Sequence, residues 1–290
     1  MLKSVSISSS GKALFLSLLL AFALASVGKA EEAYISDEAF SAAFTRECSA
    51  LIANKQHVEG EVIRTELKRE LRFSQSLSPA SPLAPADNNG GNPVRSASAA
   101  TLIVGHLYLC GKCDKWHNNL AGGVLISSGG LLVTNYHVLK FAQAKTFAAM
   151  TRDGRIFPIK KVLASSEKDD LALVQLAGAK DLPFVPIAPS AATGDALFVI
   201  SHPDAHFYTF TRGHVSRYFL EPKGKAKRIQ ITAPFARGSS GSGIFNENGG
   251  LIGIATFTNT IFYEPKTSGN PQAVLYTGVP SASILSLGTD

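Results

Sequence analysis

Beyond residue 99, apolar residues come in short runs, and each run is broken by residues that favour turns. The turn signals include Gly129-Gly130, Asp153-Gly154 and the segment 247–250. Short runs with no long helical period between them predict an all-β barrel or sandwich of antiparallel strands, and not alternating strands and helices. The predicted strands cover residues 101–109, 122–127, 131–135, 171–176, 196–201, 207–211, 228–232, 251–256 and 273–279.

The pattern differs between residues 31 and 76, where apolar positions recur at steps of three and four, as on one face of a helix. Ser36-Asp37-Glu38 offers an N-cap. No heptad persists for three repeats, so the segment is predicted to be a helical N-terminal arm and not a coiled coil. We expect the arm to pack on the β-rich part or on another copy of the chain. The spaced positions are Phe40, Phe44, Cys48, Leu51, Ile52, Val58, Val62, Ile63, Leu67 and Leu71.

Residues 77–98 lie between the arm and the β-rich part and are rich in Pro, Ser, Asn and Gly, with hardly any charge. A segment of this composition cannot bury a core, so it is predicted to be a linker. The β-rich part then covers residues 99–290. We expect it to fold without residues 31 to about 95.

The first 30 residues have the features of an export signal. Lys3 and Lys12 precede an apolar run at residues 13–25, and small residues follow up to Ala30. An uncleaved anchor is the alternative, but 13 apolar residues are short for a hydrocarbon layer of about 30 Å. We therefore predict a signal peptide over residues 1–30, no stable membrane anchor, and an exported protein that is periplasmic or secreted.

The charge of the chain does not identify a partner. The formal net charge is +6, and removing residues 1–30 leaves 25 basic residues against 22 acidic ones. The one basic cluster is Lys223, Lys225, Lys227 and Arg228, in a short polar stretch between two apolar runs. A nucleic-acid contact is one interpretation. A solvated hairpin loop explains the cluster better, and no nucleic-acid partner is predicted.

Three cysteines, Cys48, Cys110 and Cys113, would meet an oxidising compartment after export. The pair Cys110-Gly-Lys-Cys113 is a candidate for a tight disulfide loop. With His117 it could instead bind a metal, although three ligands are fewer than a closed structural zinc site needs. A thioredoxin-like redox role would require a βαβ context, which is absent. We favour the disulfide and predict no metal site and no cofactor.

Three polar residues stand at the ends of predicted strands, where packing alone would not place them. His137 follows an apolar run at 131–133, Asp170 directly precedes one at 171–174, and Ser240 lies in the glycine-rich segment 237–243. Acyl transfer to water requires a hydroxyl nucleophile, a base that titrates near neutral pH and a group that fixes the tautomer of the base. Serine, histidine and aspartate can supply these three roles.

The segments around these residues resemble the His, Asp and Ser segments of trypsin-like serine proteases, above all those of the HtrA/Deg group. The similar stretches are TNYHV at 134–138, DDLALVQL at 169–176 and ARGSSGSGIFNENGGLIGI at 236–254. The resemblance covers residues 99–286 and implies a chymotrypsin-like pair of six-stranded antiparallel β-barrels. It implies a serine endopeptidase with His137, Asp170 and Ser240 as its catalytic triad. About ten residues follow Pro280, so no PDZ domain is expected after the protease domain.

The resemblance also implies further site residues. The N–H groups of Gly238 and Ser240 would form the oxyanion hole. An S1 pocket without charge would favour cleavage after small or medium apolar residues. Asp169 is the rival for the role of Asp170, and Ser239 and Ser242 are rivals for that of Ser240. The predicted substrate-binding residues are Pro234, Phe235, Thr256, Phe257 and Thr258.

The expected partners are protein or peptide substrates, including misfolded exported proteins, and a homo-oligomer could form through the arm. Two other functions are compatible with the sequence. One is a catalytically silent peptide-binding chaperone or adaptor with the same fold. The other is a redox or metal-sensing module that uses Cys110, Cys113 and His117.

Overall fold

The computed structural model describes residues 34–79, 91–222, 226–265 and 269–288. The predicted signal peptide, residues 80–90 of the predicted linker, and Lys223 and Lys225 of the basic cluster lie outside these residues. In the part of the chain that is described, no helix is both long and apolar enough to cross a membrane.

The first half of the β-rich part forms a closed antiparallel barrel with the strand order β1-β2-β3-β6-β5-β4. Strand β1 pairs with both β2 and β4, which closes the barrel. Apolar residues of every strand are fully buried inside it, and this burial is the main stabilising term. The strands are β1 (Thr101–Leu109), β2 (Trp116–Leu125), β3 (Leu131–Thr134), β4 (Thr146–Met150), β5 (Ile156–Ser166) and β6 (Leu171–Leu176).

The second half forms a second closed antiparallel barrel with the order β10-β11-β12-β9-β8-β7. Strands β11 and β12 extend as a hairpin beyond their neighbours. The prediction of two six-stranded antiparallel barrels is therefore confirmed. The strands are β7 (Ala196–Ser201), β8 (Thr209–Leu220), β9 (Lys227–Ile231), β10 (Gly243–Asn246), β11 (Leu251–Glu264) and β12 (Gly269–Pro280), and a helix labelled α4 (Ser281–Leu285) follows them.

The arm contains two helices, α1 (Asp37–Ala53) and α2 (Gly60–Leu67). Ser36 caps α1 by accepting a hydrogen bond from Ala39 N at 3.2 Å. The arm packs directly on the first barrel, which is one of the two placements that we expected. Its apolar face belongs to the same buried cluster as the interior of the first barrel. In this cluster the side chains of Phe44, Cys48, Ile63 and Leu67 are at most 1% exposed.

Hydrogen bonds also tie α2 to the first barrel. The Glu66 carboxylate accepts from Val162 N at 2.8 Å, and Ser165 Oγ donates to Leu67 O at 2.7 Å. The Val162 N–H in the middle of β5 therefore has its hydrogen-bond acceptor on α2, a helix that the sequence pattern placed in a different domain.

The end of the predicted linker is helical. Helix α3 (Pro93–Ala100) runs directly into β1. Asn92 caps it, with its side-chain oxygen accepting from Val94 N and Arg95 N, and Pro93 occupies the first turn, where its missing N–H costs nothing. A capping asparagine followed by proline is a sequence signal for the start of a helix, and the prediction of a linker from composition did not use it.

Candidate active site

His137 lies in a single 3₁₀ turn, His137–Leu139, just after the end of β3. Val138 and Leu139 are buried in the first barrel and anchor the turn, whereas the imidazole is 48% exposed. The imidazole Nδ1 lies 2.8 Å from Asp170 Oδ2, and His137 N donates to Asp170 Oδ1 at 3.0 Å. Both the ring and the backbone of His137 are therefore held by one carboxylate.

Asp170 precedes β6 in a left-handed conformation with φ +60°, which aspartate tolerates better than most residues. Asn135 Nδ2 donates to Asp170 O at 2.9 Å and fixes this turn. Burial acts to raise the pKa of the Asp170 carboxyl. Hydrogen bonds from His137 and Thr256 and the charge of His137 outweigh burial, so the net pKa is below its ordinary value and the group stays ionised at neutral pH.

Ser240 lies between β9 and β10, and its Oγ is 2.9 Å from His137 Nε2. The predicted catalytic residues His137, Asp170 and Ser240 thus form one chain of hydrogen bonds. Asp169 turns away from it and accepts a hydrogen bond from Ser166 Oγ at 3.0 Å. Ser239 and Ser242, the rivals of Ser240, are fully buried.

Thr256 has a role that the sequence did not reveal. It was predicted as part of the substrate-binding strand, but its side chain is buried and its Oγ1 donates to Asp170 Oδ2. Its carbonyl oxygen lies 3.3 Å from Ser240 Oγ. Thr256 therefore contacts both ends of the hydrogen-bond chain, and its side chain faces Asp170.

The site lies where the two barrels meet. Gly122 N of β2 donates to Ser240 O at 2.8 Å. Gly241 has φ +80°, and a Cβ added there would lie 2.2 Å from Gly122 O and 2.4 Å from Thr134 Oγ1. A side chain at 241 would push the barrels apart, so this contact requires glycine.

The predicted oxyanion donors have backbone geometry suited to that role. Gly238 has φ +92°, a conformation that glycine adopts without strain. Among the residues that the structure describes, Gly238 N and Ser240 N donate to no protein acceptor. Two free N–H groups beside a serine hydroxyl can stabilise negative charge on a substrate oxygen.

The predicted S1 residues differ in their environment. Pro234, Phe257 and Thr258 are exposed, whereas Phe235 is only 7% exposed. The Phe235 ring packs against Tyr276 of β12 with centroids 5.4 Å apart. Tyr276 was missed in the sequence because its position depends on how β11 pairs with β12.

The three cysteines are free thiols in the structure. Cys48 is buried on α1, and burial raises its pKa to about 12. Cys110 Sγ and Cys113 Sγ lie 3.5 Å apart, whereas a disulfide bond measures about 2.05 Å. The predicted disulfide stays a prediction.

Comparisons with known proteins point to one family. Residues 121–254 match the model of the trypsin-like peptidase domain. The chain is 36% identical over 143 residues to the periplasmic pH-dependent serine endoprotease DegQ of Escherichia coli K12, a match that covers 47% of this chain and 31% of DegQ. It is 30% identical over 186 residues to the serine endoprotease DegS of the same organism, covering 61% of this chain and 50% of DegS. The chain thus spans half or less of these relatives.

Solved structures show the same likeness. The HtrA-type protease AlgW with a tripeptide has a TM-score of 0.55 at 26% identity, covering 67% of this chain and 60% of that one. A serine endoprotease from Yersinia pestis has a TM-score of 0.53 at 25% identity, covering 72% of this chain and 65% of that one.

Proposed function

Because the chain contains a trypsin-like peptidase domain and is homologous to the HtrA-type proteases DegQ and DegS, we propose that it is an exported serine endopeptidase. The observation that carries the proposal is the hydrogen-bond chain from Ser240 Oγ through His137 to Asp170, with distances of 2.9 and 2.8 Å. An aspartate, a histidine and a serine from two different barrels meet there in the order that acyl transfer requires.

Each of the three residues has one task in this mechanism. His137 Nε2 accepts the proton of Ser240 Oγ as the hydroxyl attacks the peptide carbonyl, and then delivers it to the leaving amine. The ionised Asp170 holds the Nδ1–H tautomer and stabilises the imidazolium. Water then attacks the acyl-enzyme by the same steps, and His137 again accepts a proton and delivers it to the leaving group. The Thr256 hydroxyl keeps one Asp170 oxygen occupied and so limits the rotation of the carboxylate.

The N–H groups of Gly238 and Ser240 would bind the oxygen of the tetrahedral intermediate. Loss of one such donor typically lowers kcat by 10²–10³. The strand at Thr256, Phe257 and Thr258 would pair with the substrate backbone, and Pro234 and Phe235 would border the P1 side chain. We propose small or medium apolar P1 residues, because these residues offer no countercharge and an unpaired buried charge costs several kcal/mol.

The chain divides, in this proposal, into the signal peptide (1–30), the arm (31–76), the linker (77–98) and the protease domain (99–290). Export agrees with the periplasmic description of DegQ. The substrates would be proteins or peptides, among them misfolded exported proteins, and the arm would be the contact for any homo-oligomer.

Labelling with a fluorophosphonate probe tests the assignment. The full-length chain should be modified on Ser240 and should hydrolyse casein. Ser240→Ala should remain folded, lose labelling and lose activity by about 10⁴–10⁶. Ser242→Ala is the matched control and should keep its labelling. A wild-type chain that binds peptides but neither labels nor cleaves would support the silent chaperone or adaptor instead.

A further inference from the structure

The turn between β1 and β2 brings three metal-ligating side chains together, away from the proposed active site. Cys110 directly follows β1, Cys113 lies in the turn, and His117 is the second residue of β2. His117 is fixed as a strand residue opposite Tyr108, whose ring lies 5.5 Å from the imidazole. One ligand position is therefore set by the barrel and two by the turn.

The distances among the donor atoms are those of ligands around one ion. Cys110 Sγ lies 3.5 Å from Cys113 Sγ, and Cys113 Sγ lies 3.2 Å from His117 Nε2. All three atoms lie within 4.8 Å of one another. Two thiolates on a tetrahedral zinc ion, with Zn–S bonds of about 2.3 Å, have sulfur atoms about 3.8 Å apart. Only small shifts of the side chains are needed.

The turn also directs a backbone donor at one of the sulfur atoms. Lys112 N donates to Cys110 Sγ at 3.4 Å, and Gly111 has φ +72°, which turns the backbone back toward the sulfur. Cys110 and Cys113 are exposed, so an ion can reach both sulfur atoms directly from solvent.

We propose that Cys110, Cys113 and His117 bind one zinc ion, with a fourth position open to water or an external ligand. Two thiolates and an imidazole are the ligands that zinc prefers, and sites with three protein ligands keep one exchangeable position. A zinc site excludes the predicted disulfide, since the sulfur atoms of Cys110 and Cys113 cannot bind zinc as thiolates while they are bonded to each other. It does not depend on the proposed protease activity.

To test the site, the full-length chain is reduced and freed of metal with a chelator. Zinc binding is then measured in competition with a chromophoric chelator. We expect one equivalent to bind, and cobalt(II) to give thiolate charge-transfer absorption. Cys110→Ser, Cys113→Ser and His117→Asn should each weaken binding at least tenfold. Cys48→Ala removes the third thiol and should bind like wild type. The absence of binding by wild type, or unchanged binding by Cys113→Ser, would overturn the site. So would a metal-free chain isolated with an intact Cys110–Cys113 disulfide.

A separate set of contacts joins the arm to the proposed oxyanion hole. At the start of α1, Asp37 Oδ1 accepts from Phe207 N at 2.9 Å, and Asp37 Oδ2 lies 3.1 Å from His206 Nδ1. Phe40, one turn further along α1, packs on Phe207 with ring centroids 5.7 Å apart. The first turn of α1 therefore holds the loop formed by residues 202–208.

This loop is strained and touches the segment before Ser240. Asp204, Ala205 and Tyr208 have φ values of +48°, +63° and +58°, in the left-handed region that residues other than glycine adopt only under strain. Asp204 N donates to Arg237 O at 2.6 Å. Arg237 C=O and Gly238 N–H are opposite ends of one planar peptide, so holding the carbonyl sets the direction of the N–H.

We infer that Asp37 is a positioning residue that keeps the Gly238 N–H aimed at the substrate oxygen by holding the 202–208 loop. This inference rests on the proposed function. Without the Asp37 carboxylate, the strained loop can relax, Asp204 N can leave Arg237 O, and the 237–238 peptide can rotate. Such a rotation would reduce transition-state stabilisation more than substrate binding.

Steady-state kinetics on a peptide substrate test it. Asp37→Ala should lower kcat about tenfold or more, with KM changed less than twofold, and slow fluorophosphonate labelling in parallel. Asp37→Asn, which keeps an acceptor for Phe207 N, should recover part of the loss. Glu38→Ala is the control, because the Glu38 side chain is exposed and bonded to none of the described residues. If wild type reacts and Asp37→Ala matches Glu38→Ala, the positioning role is wrong. An unreactive wild type would instead refute the proposed function.

Discussion

Asp169 and Asp170 are adjacent carboxylates with opposite surroundings. The positive φ of Asp170 turns its carboxylate toward His137 and Thr256, whereas Asp169 bonds to Ser166. The sequence favoured Asp170 only because it directly precedes β6. The partnership with Thr256, 86 residues away, has no sequence signal, since it depends on the contact between the two barrels.

Replacing each aspartate by asparagine separates their roles. Asp170→Asn should lower kcat by about 10⁴, because an amide can hold the wrong imidazole tautomer and cannot offset the imidazolium charge. Asp169→Asn should stay within about twofold of wild type. Peptide hydrolysis by the two purified variants measures this. Equal losses would show that Asp170 is not the partner of His137.

Strand pairing places residues that no sequence pattern brings together. A register shift between Ala255 and Phe257 sets Thr258 opposite Tyr276, and so puts Tyr276 beside Phe235. Nine of the twelve strands in the two barrels were predicted from short apolar runs and turn residues, whereas β4, β5 and β10 were not. The candidate catalytic residues were predicted from their positions at strand ends. The bulge could not be predicted, because a one-residue slip in strand pairing leaves the composition of the strands unchanged. The contact of Tyr276 with Phe235 depends on this bulge and could not be predicted either.

The aromatic pair should limit the size of the P1 residue. Phe235→Ala and Tyr276→Ala are each expected to shift cleavage toward Leu and Phe, because removing a ring opens space that a larger apolar side chain can fill. Cleavage of a peptide library measures the P1 profile. Tyr263→Ala, on the same hairpin but 70% exposed, should keep the wild-type profile. A wild-type profile dominated by Arg, Lys or Glu would contradict the proposed pocket.

For the molecule as a whole, the arm and the first barrel share one core. Composition predicted a linker after residue 76 and hence a detachable arm, but composition does not tell which surface an amphipathic helix covers. The three large arm side chains Phe44, Ile63 and Leu67 are fully buried. At roughly 1.5–3 kcal/mol each, they amount to a large part of the stability of an ordinary domain.

A chain that begins at Ala99 should therefore be poorly soluble or melt far below the full-length protein. Phe44→Ala should by itself cost about 3–5 kcal/mol, because it leaves a cavity beside β1. Thermal and urea unfolding measure both effects. Phe40→Ala is a milder substitution on the same helix. A soluble truncated chain with an unchanged melting temperature would show that the arm is only an accessory.

Two buried histidines make the stability of the molecule depend on pH. Burial lowers the pKa of His106 and of His202 to about 4. The unfolded chain takes up protons near pH 6.5 while the folded chain does not, so stability falls as the pH drops from about 6.5 to about 4. Each histidine should contribute roughly 3 kcal/mol to that loss. Urea unfolding at pH 7.5 and pH 5 should show a smaller difference for His106→Gln than for wild type; an equal difference would assign the acid sensitivity elsewhere.

Each barrel is built from one continuous stretch of chain, residues 101–176 and 196–280, and the connection between them bonds to both. Val185 N donates to Leu125 O in the first barrel, and Ala188 N donates to Leu251 O in the second. A gene split near residue 193 would therefore yield two polypeptides, each able to close its own barrel and neither holding all three residues of the proposed triad. The rate of hydrolysis would then depend on the concentrations of both fragments and rise with either one. The pair could serve as a reporter for the association of two proteins fused to the fragments.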